Sequence, residues 1–172
     1  YSLYTHPKGT SGPWAATSFD RPYGRYAQFT SVVNDPLSIG AGEFLSFEFP
    51  LAYFLEEHGY DVSYVSNSDM LTPDRGKKCK AFISVGHDEY WDRRQFDSVT
   101  AMRDAGVSLL FLSGNSVCWV TPLEPAHDGR PERVISRAGP YGGQSASAVE
   151  RAEANGPFAL QGPDEGYLIG AR

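Results

Sequence analysis

The residues best suited to chemistry lie together in Ala81–Trp91, AFISVGHDEYW. The apolar run Ala81–Val85 stops at Gly86, and His87, Asp88 and Glu89 follow at once. An imidazole and two carboxylates therefore stand where a buried strand should surface. A second apolar run, VSLLFLS, leads into Gly114 and Asn115. If the chain stays extended past Gly86, alternation turns His87 and Glu89 to one side and Asp88 to the other. His87 and Glu89 are thus the candidate pair, with Asp88 a cap or surface group. An imidazole can take and return a proton near neutral pH. A carboxylate can hold a cation. The two strand ends are expected to form one edge of an active site that holds a metal. A second account stays open on spacing alone: His87 as a hydrogen-bonding plug, Asp88 and Glu89 as caps, Asn115 as a left-handed turn residue.

The surrounding elements must bring those strand ends together. Glu43–His58 has a helical face in Phe47, Leu51, Phe54 and Leu55, with Pro50 in the first turn and Gly59 as a stop. The regular part is expected from about Phe49. Tyr60–Val65 has strand propensity, and Asn67–Lys80 is polar and turn-rich. Ala81–Val85 is a strand. Asp92–Ala105 is a helix with Phe96, Val99, Met102 and the Arg103 stem on its inner stripe, capped by Asp88 or Asp92 and ended by Gly106. Val107–Ser113, almost wholly apolar, reads as a strand covered on both faces. Strand, helix and strand in this order imply a right-handed parallel βαβ unit and an open, mainly parallel α/β sheet with flanking helices. Ligands in such sheets bind outside the carboxyl ends of the strands, which juxtaposes Gly86–Glu89 and Gly114–Asn115. Gly86 and Gly114 would permit sharp exits. Three stretches follow: a loop-rich segment over 1–42, an αβαβ core over 43–119, and an irregular excursion with a final strand over 120–172. The last includes a helix at Ala146–Ala154 and an apolar end at Leu168–Ala171.

Composition narrows the function classes. The chain has 172 residues, room for one domain with a full core. Its net charge of -6 gives no electrostatic reason to expect nucleic acid. No apolar run approaches the roughly 18 residues that span a bilayer. Cys79 and Cys118 are too few for a disulfide framework, which favours a reducing, cytoplasmic setting. The chain opens without Met and closes on YLIGAR, which reads as a strand cut short, so a longer protein is expected. Nucleophile-elbow, phosphate-loop, GxGxxG and HExxH motifs are absent. Cys118 lies past its strand in SGNSVCW without a following glycine, and reads as a buried thiol. In SFDRPY (Ser18–Tyr23), Pro22 stiffens the backbone ahead of Tyr23.

SFDRPY, LEEHGYDVSYV, SVGHDEYWD and GVSLLFLSGNSVCW, in that order, resemble the catalytic domain of the N,N-dimethylformamidase large (β) subunit family. The resemblance covers Tyr1–Trp119 well and the remainder loosely, with PDEGYLIGAR also family-like. It implies an amidase that hydrolyses a small amide, with a class I glutamine-amidotransferase-like, three-layer α/β domain and a mononuclear iron, expected as Fe3+. The iron is held by two tyrosines and a glutamate, with a histidine and an asparagine nearby. Carried over, these are Glu89, His87 and Asn115, with Tyr23 and Tyr4 as the matching tyrosines and Tyr26 in reserve. A further family glutamate has Glu165 as its candidate. Phenolate and carboxylate are hard oxygen donors suited to iron, and three protein ligands leave positions for water and substrate. The family's sandwich-like second domain and small partner subunit have no counterpart in these residues, and a homo-oligomer is a further expectation. Two rivals stand beside the amidase: an amidotransferase-like module binding a small molecule or carbohydrate without turnover, and a thiol hydrolase using Cys118.

Overall fold

The computed structural model describes residues 17–20, 44–45, 47–135 and 164–171. Its centre is the unit anticipated around the two apolar runs. Strand β2 (Ala81–Val85) and strand β4 (Ser108–Leu112) pair in parallel, from Ala81 opposite Ser108 to Val85 opposite Leu112. Helix α2 (Arg93–Asp104) connects them. Between β2 and α2 lies a two-residue strand, β3 (Tyr90–Trp91), which pairs in parallel with β5 (Trp119–Val120) just beyond β4. The result is a small α/β arrangement whose sheets are partly parallel.

Helix α2 forms for reasons visible in its sequence. Asp92 is the N-cap, and its carboxylate accepts the Arg94 backbone N–H at 2.8 Å. The same carboxylate accepts the Leu123 N–H at 2.8 Å and the Arg94 guanidinium at 2.8 Å, which ties the start of the helix to the following hairpin. Phe96, Val99 and Met102 face inward and are fully enclosed with Trp91, Met70, Val107, Val117, Val120 and Leu168. The Arg103 stem does not join this stripe; its side chain is exposed and donates to the Tyr167 carbonyl at 2.7 Å. Phe82, Leu109 and Phe111 present one face of the β2–β4 pair to this core.

The other face of that pair differs from expectation. Leu110 and Leu112 are 38% and 50% exposed, so among the described residues β4 is covered on one face rather than both. Two further expectations fail nearby. Helix α1 (Glu48–Glu57) carries no buried residue, and Phe54 from its predicted inner face is exposed. Tyr60–Val65 forms no strand. The chain turns back along α1 instead, with the Tyr60 N–H on the Leu55 carbonyl at 3.0 Å and the Tyr64 hydroxyl on Glu56 Oε1 at 2.6 Å. Local hydrogen bonds to the helix have taken the place of strand pairing.

A small antiparallel sheet flanks the centre. It joins β1 (Thr17–Ser18), β7 (Val134–Ile135) and β6 (Leu123–Glu124), in that spatial order. The stretch from Pro122 thus contains a hairpin rather than only irregular chain. The expected final strand at Leu168–Ala171 is instead a single helical turn, α3 (Gly166–Ile169), which Gly170 ends in the left-handed region. Asp164 initiates it by accepting the Gly166 N–H on Oδ1 at 2.8 Å, a local bond that favours a turn over a strand. The helix expected at Ala146–Ala154 lies outside the described residues. Among the described residues, no helix is long and apolar enough to cross a membrane.

Candidate functional site

The first strand exit is built around Gly86. Its φ of +72° suits glycine, and a Cβ there would approach Glu48 Oε1 to 2.8 Å and Phe47 Cβ to 3.3 Å. The start of α1 therefore backs directly onto the exit. His87 follows, exposed, with the edge of one ring against the other at Phe47, centroids 6.1 Å apart. Asp88 is half-buried and clamped: Oδ1 accepts Asn67 Nδ2 at 2.9 Å and Oδ2 accepts Ser84 Oγ at 3.1 Å. Burial holds its carboxyl above the usual carboxylate range, against the opposing donors Asn67 and Ser84 and the nearby Trp91 indole. Asp88 is thus neither cap nor surface group; Asp92 takes the cap. Glu89 is 5% exposed, and its Oε1 accepts the Trp119 indole N–H at 3.0 Å.

The second exit runs alongside the first. The Asp88 carbonyl accepts the Val117 N–H at 2.9 Å, and the Glu89 carbonyl accepts the N–H groups of Cys118 and Trp119 at 3.0 and 2.9 Å. The pairing offset is 27 residues at Val85–Leu112 and 29 at Tyr90–Trp119. The second exit therefore holds two more residues than the first, and must bulge. Asn115 and Val117 absorb the excess with φ of +53° and +57°. Asn115 is thus the left-handed turn residue that the second account of the sequence allowed. For Val117, β-branched and fully enclosed, this backbone region costs on the order of 1–3 kcal/mol. Packing and the bond to Asp88 hold it there.

The expected residues thus fall into four groups. The exits carrying His87, Glu89 and Asn115 are neighbours through their backbones, with Glu89 buried and His87 and Asn115 exposed. Tyr4, Tyr23 and Tyr26 lie outside the described residues. Glu165 is buried at the start of α3, where its carbonyl accepts from Leu168 and Ile169. Cys118 is half-buried, with its thiol directed at the Ser116 carbonyl at 3.8 Å. Sequence reasoning missed Trp119 as the partner of Glu89, and Asn67 and Ser84 as the clamp on Asp88. A buried Trp needs an acceptor for its N–H, and parallel exits offer Glu89 as one. Asn67 sits in a polar turn with no periodic signal.

Among the described residues, no three His, Cys, Asp or Glu side chains converge as a metal site. The donor set implied by the resemblance is one glutamate and two tyrosines, so such a triplet is not what it calls for. The described member fits a hard cation: Glu89 is an oxygen donor, withdrawn from solvent and held by an indole. No curated protein matches the chain. The family described as N,N-dimethylformamidase beta subunit-like, C-terminal, matches residues 1–170. With nearly its whole length matched, the chain belongs to the N,N-dimethylformamidase beta subunit-like, C-terminal family.

Proposed function

We propose that this chain is the catalytic domain of an iron-dependent amidohydrolase of the dimethylformamidase type. It hydrolyses a small amide, with water adding at the carbonyl carbon and the C–N bond breaking to give an acid and an amine; from a formamide, the acid is formate. The observation that carries the reading is Glu89, a carboxylate 5% exposed at a strand exit and held by Trp119, in a chain of this family.

Glu89, Tyr4 and Tyr23 would hold the iron, with Tyr26 the substitute for either tyrosine. Bound iron supplies Lewis acidity toward the amide carbonyl and acidifies water at the same centre. His87, exposed at the exit, takes a proton from the attacking water and returns one to the departing amine. Asn115 directs its carboxamide to the oxygen that gains charge. The same reading includes a class I glutamine-amidotransferase-like three-layer fold, a small partner subunit, a homo-oligomer and a cytoplasmic setting. Support for a multi-subunit enzyme is the family's description as beta subunit-like.

Metal analysis of the purified full chain is the test. Near-stoichiometric iron is expected, with Glu89→Ala losing both iron and amide hydrolysis. Iron retained in that variant would remove Glu89 from the ligand set. Activity abolished by thiol alkylation yet indifferent to chelators would shift the chemistry to Cys118. A protein without metal or turnover would be a binding module.

A further inference from the structure

Glu89 is gripped twice by one residue. Its backbone carbonyl accepts the Trp119 N–H at 2.9 Å, and its Oε1 accepts the Trp119 indole N–H at 3.0 Å. Both residues are buried, at 5% and 6% exposure. The backbone bond belongs to the register that starts the β3–β5 pairing, so the indole is anchored to the same frame as the carboxylate it touches. The hydrogen bond directs one carboxylate oxygen and restricts rotation of the side chain about its terminal bonds. A ligating carboxylate that is so restrained loses less freedom when it takes a cation, and its remaining electron pairs are presented in a fixed direction.

We propose that Trp119 is the positioning residue of the metal centre: its indole N–H sets the orientation in which Glu89 meets the cation. The inference rests on the reading of Glu89 as an iron ligand. Trp119 itself touches neither substrate nor cation in this role. The bulge at Asn115–Val117 is what places it, because without two extra residues in the second exit another side chain would take the position opposite Tyr90 from which the indole reaches Glu89.

Trp119→Phe tests this, since it keeps most of the ring and removes the N–H. Iron affinity of the purified full chain is measured by equilibrium dialysis against ferric iron buffered as its citrate complex, alongside apo-protein unfolding in urea. The expected result is a fall in iron affinity of about 10- to 100-fold. In a Glu89→Gln background, already weak in iron, Trp119→Phe should produce little further loss. A purely structural Trp119 would lower the urea midpoint and leave iron affinity unchanged, which overturns the proposal. So would equal losses of affinity in the presence and absence of the Glu89 carboxylate. Iron retained by Glu89→Ala, or no iron bound by the wild-type chain, overturns the ligand reading and this inference with it. Iron lost from Glu89→Ala but kept by Trp119→Phe overturns this inference alone.

Discussion

Asn115 shows how a backbone demand and a chemical role can fall on one residue. Its φ of +53° is a conformation that asparagine tolerates and glycine adopts freely. Asn115→Gly therefore separates the two roles, keeping the turn and deleting the carboxamide. Stability in urea should change by less than about 1 kcal/mol. Turnover of a small amide should fall about 100- to 1,000-fold. Unchanged turnover would reduce Asn115 to a turn residue. Gly86 presents the opposite case, because any side chain there meets both a left-handed backbone and Glu48. Gly86→Ala should lose about 1–2 kcal/mol from the backbone alone, read as a lower urea midpoint. An unaltered midpoint would mean that the contact between α1 and the exit gives way easily. At this scale the sequence was informative at Gly86 and Asn115, whose backbone demands match their residue types, and misleading at Asp88, read as a cap or surface group but clamped by Asn67 and Ser84. It did not expose Trp119, because a hydrogen bond across two strands depends on register, and register here shifts by two within a bulge.

At the scale of elements, Asp92 is the joint between α2 and β6. Burial acts to raise its pKa, but the Arg94 side chain and the Leu123 and Arg94 N–H groups together outweigh it, and the group titrates below the usual carboxylate range. A depressed folded-state pKa means that its stabilisation is fully present above the unfolded value of about 3.9 and is lost as pH falls through the folded value. Stability followed by urea unfolding should therefore drop below about pH 4 in the wild type. Asp92→Asn should be less stable at pH 7 and flatter over that acid range. A variant with the wild-type acid slope would place the acid-sensitive group elsewhere. The helix itself was legible because cap, stripe and stop all agreed: Asp92, Phe96–Val99–Met102 and Gly106. Tyr60–Val65 and Leu168–Ala171 misled because short apolar stretches do not distinguish a strand from a local turn. Tyr64 with Glu56, and Asp164 with Gly166, decided those cases through side-chain hydrogen bonds.

For the whole molecule, the parallel pairs β2–β4 and β3–β5 carry the two exits to one edge, which is where open α/β sheets assemble their sites. That much followed from two apolar runs flanking a helical stripe. Coverage of the sheet did not follow, since an apolar strand reads the same whether one face or two are packed, and Leu110 and Leu112 remain exposed. The central claim is that Glu89 holds iron beside His87 and Asn115. Its most direct measurement is the anomalous-scattering position of iron in crystals of the iron-loaded full chain. A peak bonded to a Glu89 carboxylate oxygen and to the phenolate oxygens of Tyr4 and Tyr23 is expected. A peak on other residues, with Glu89 bonded only to Trp119 and its protein neighbours, would contradict the claim.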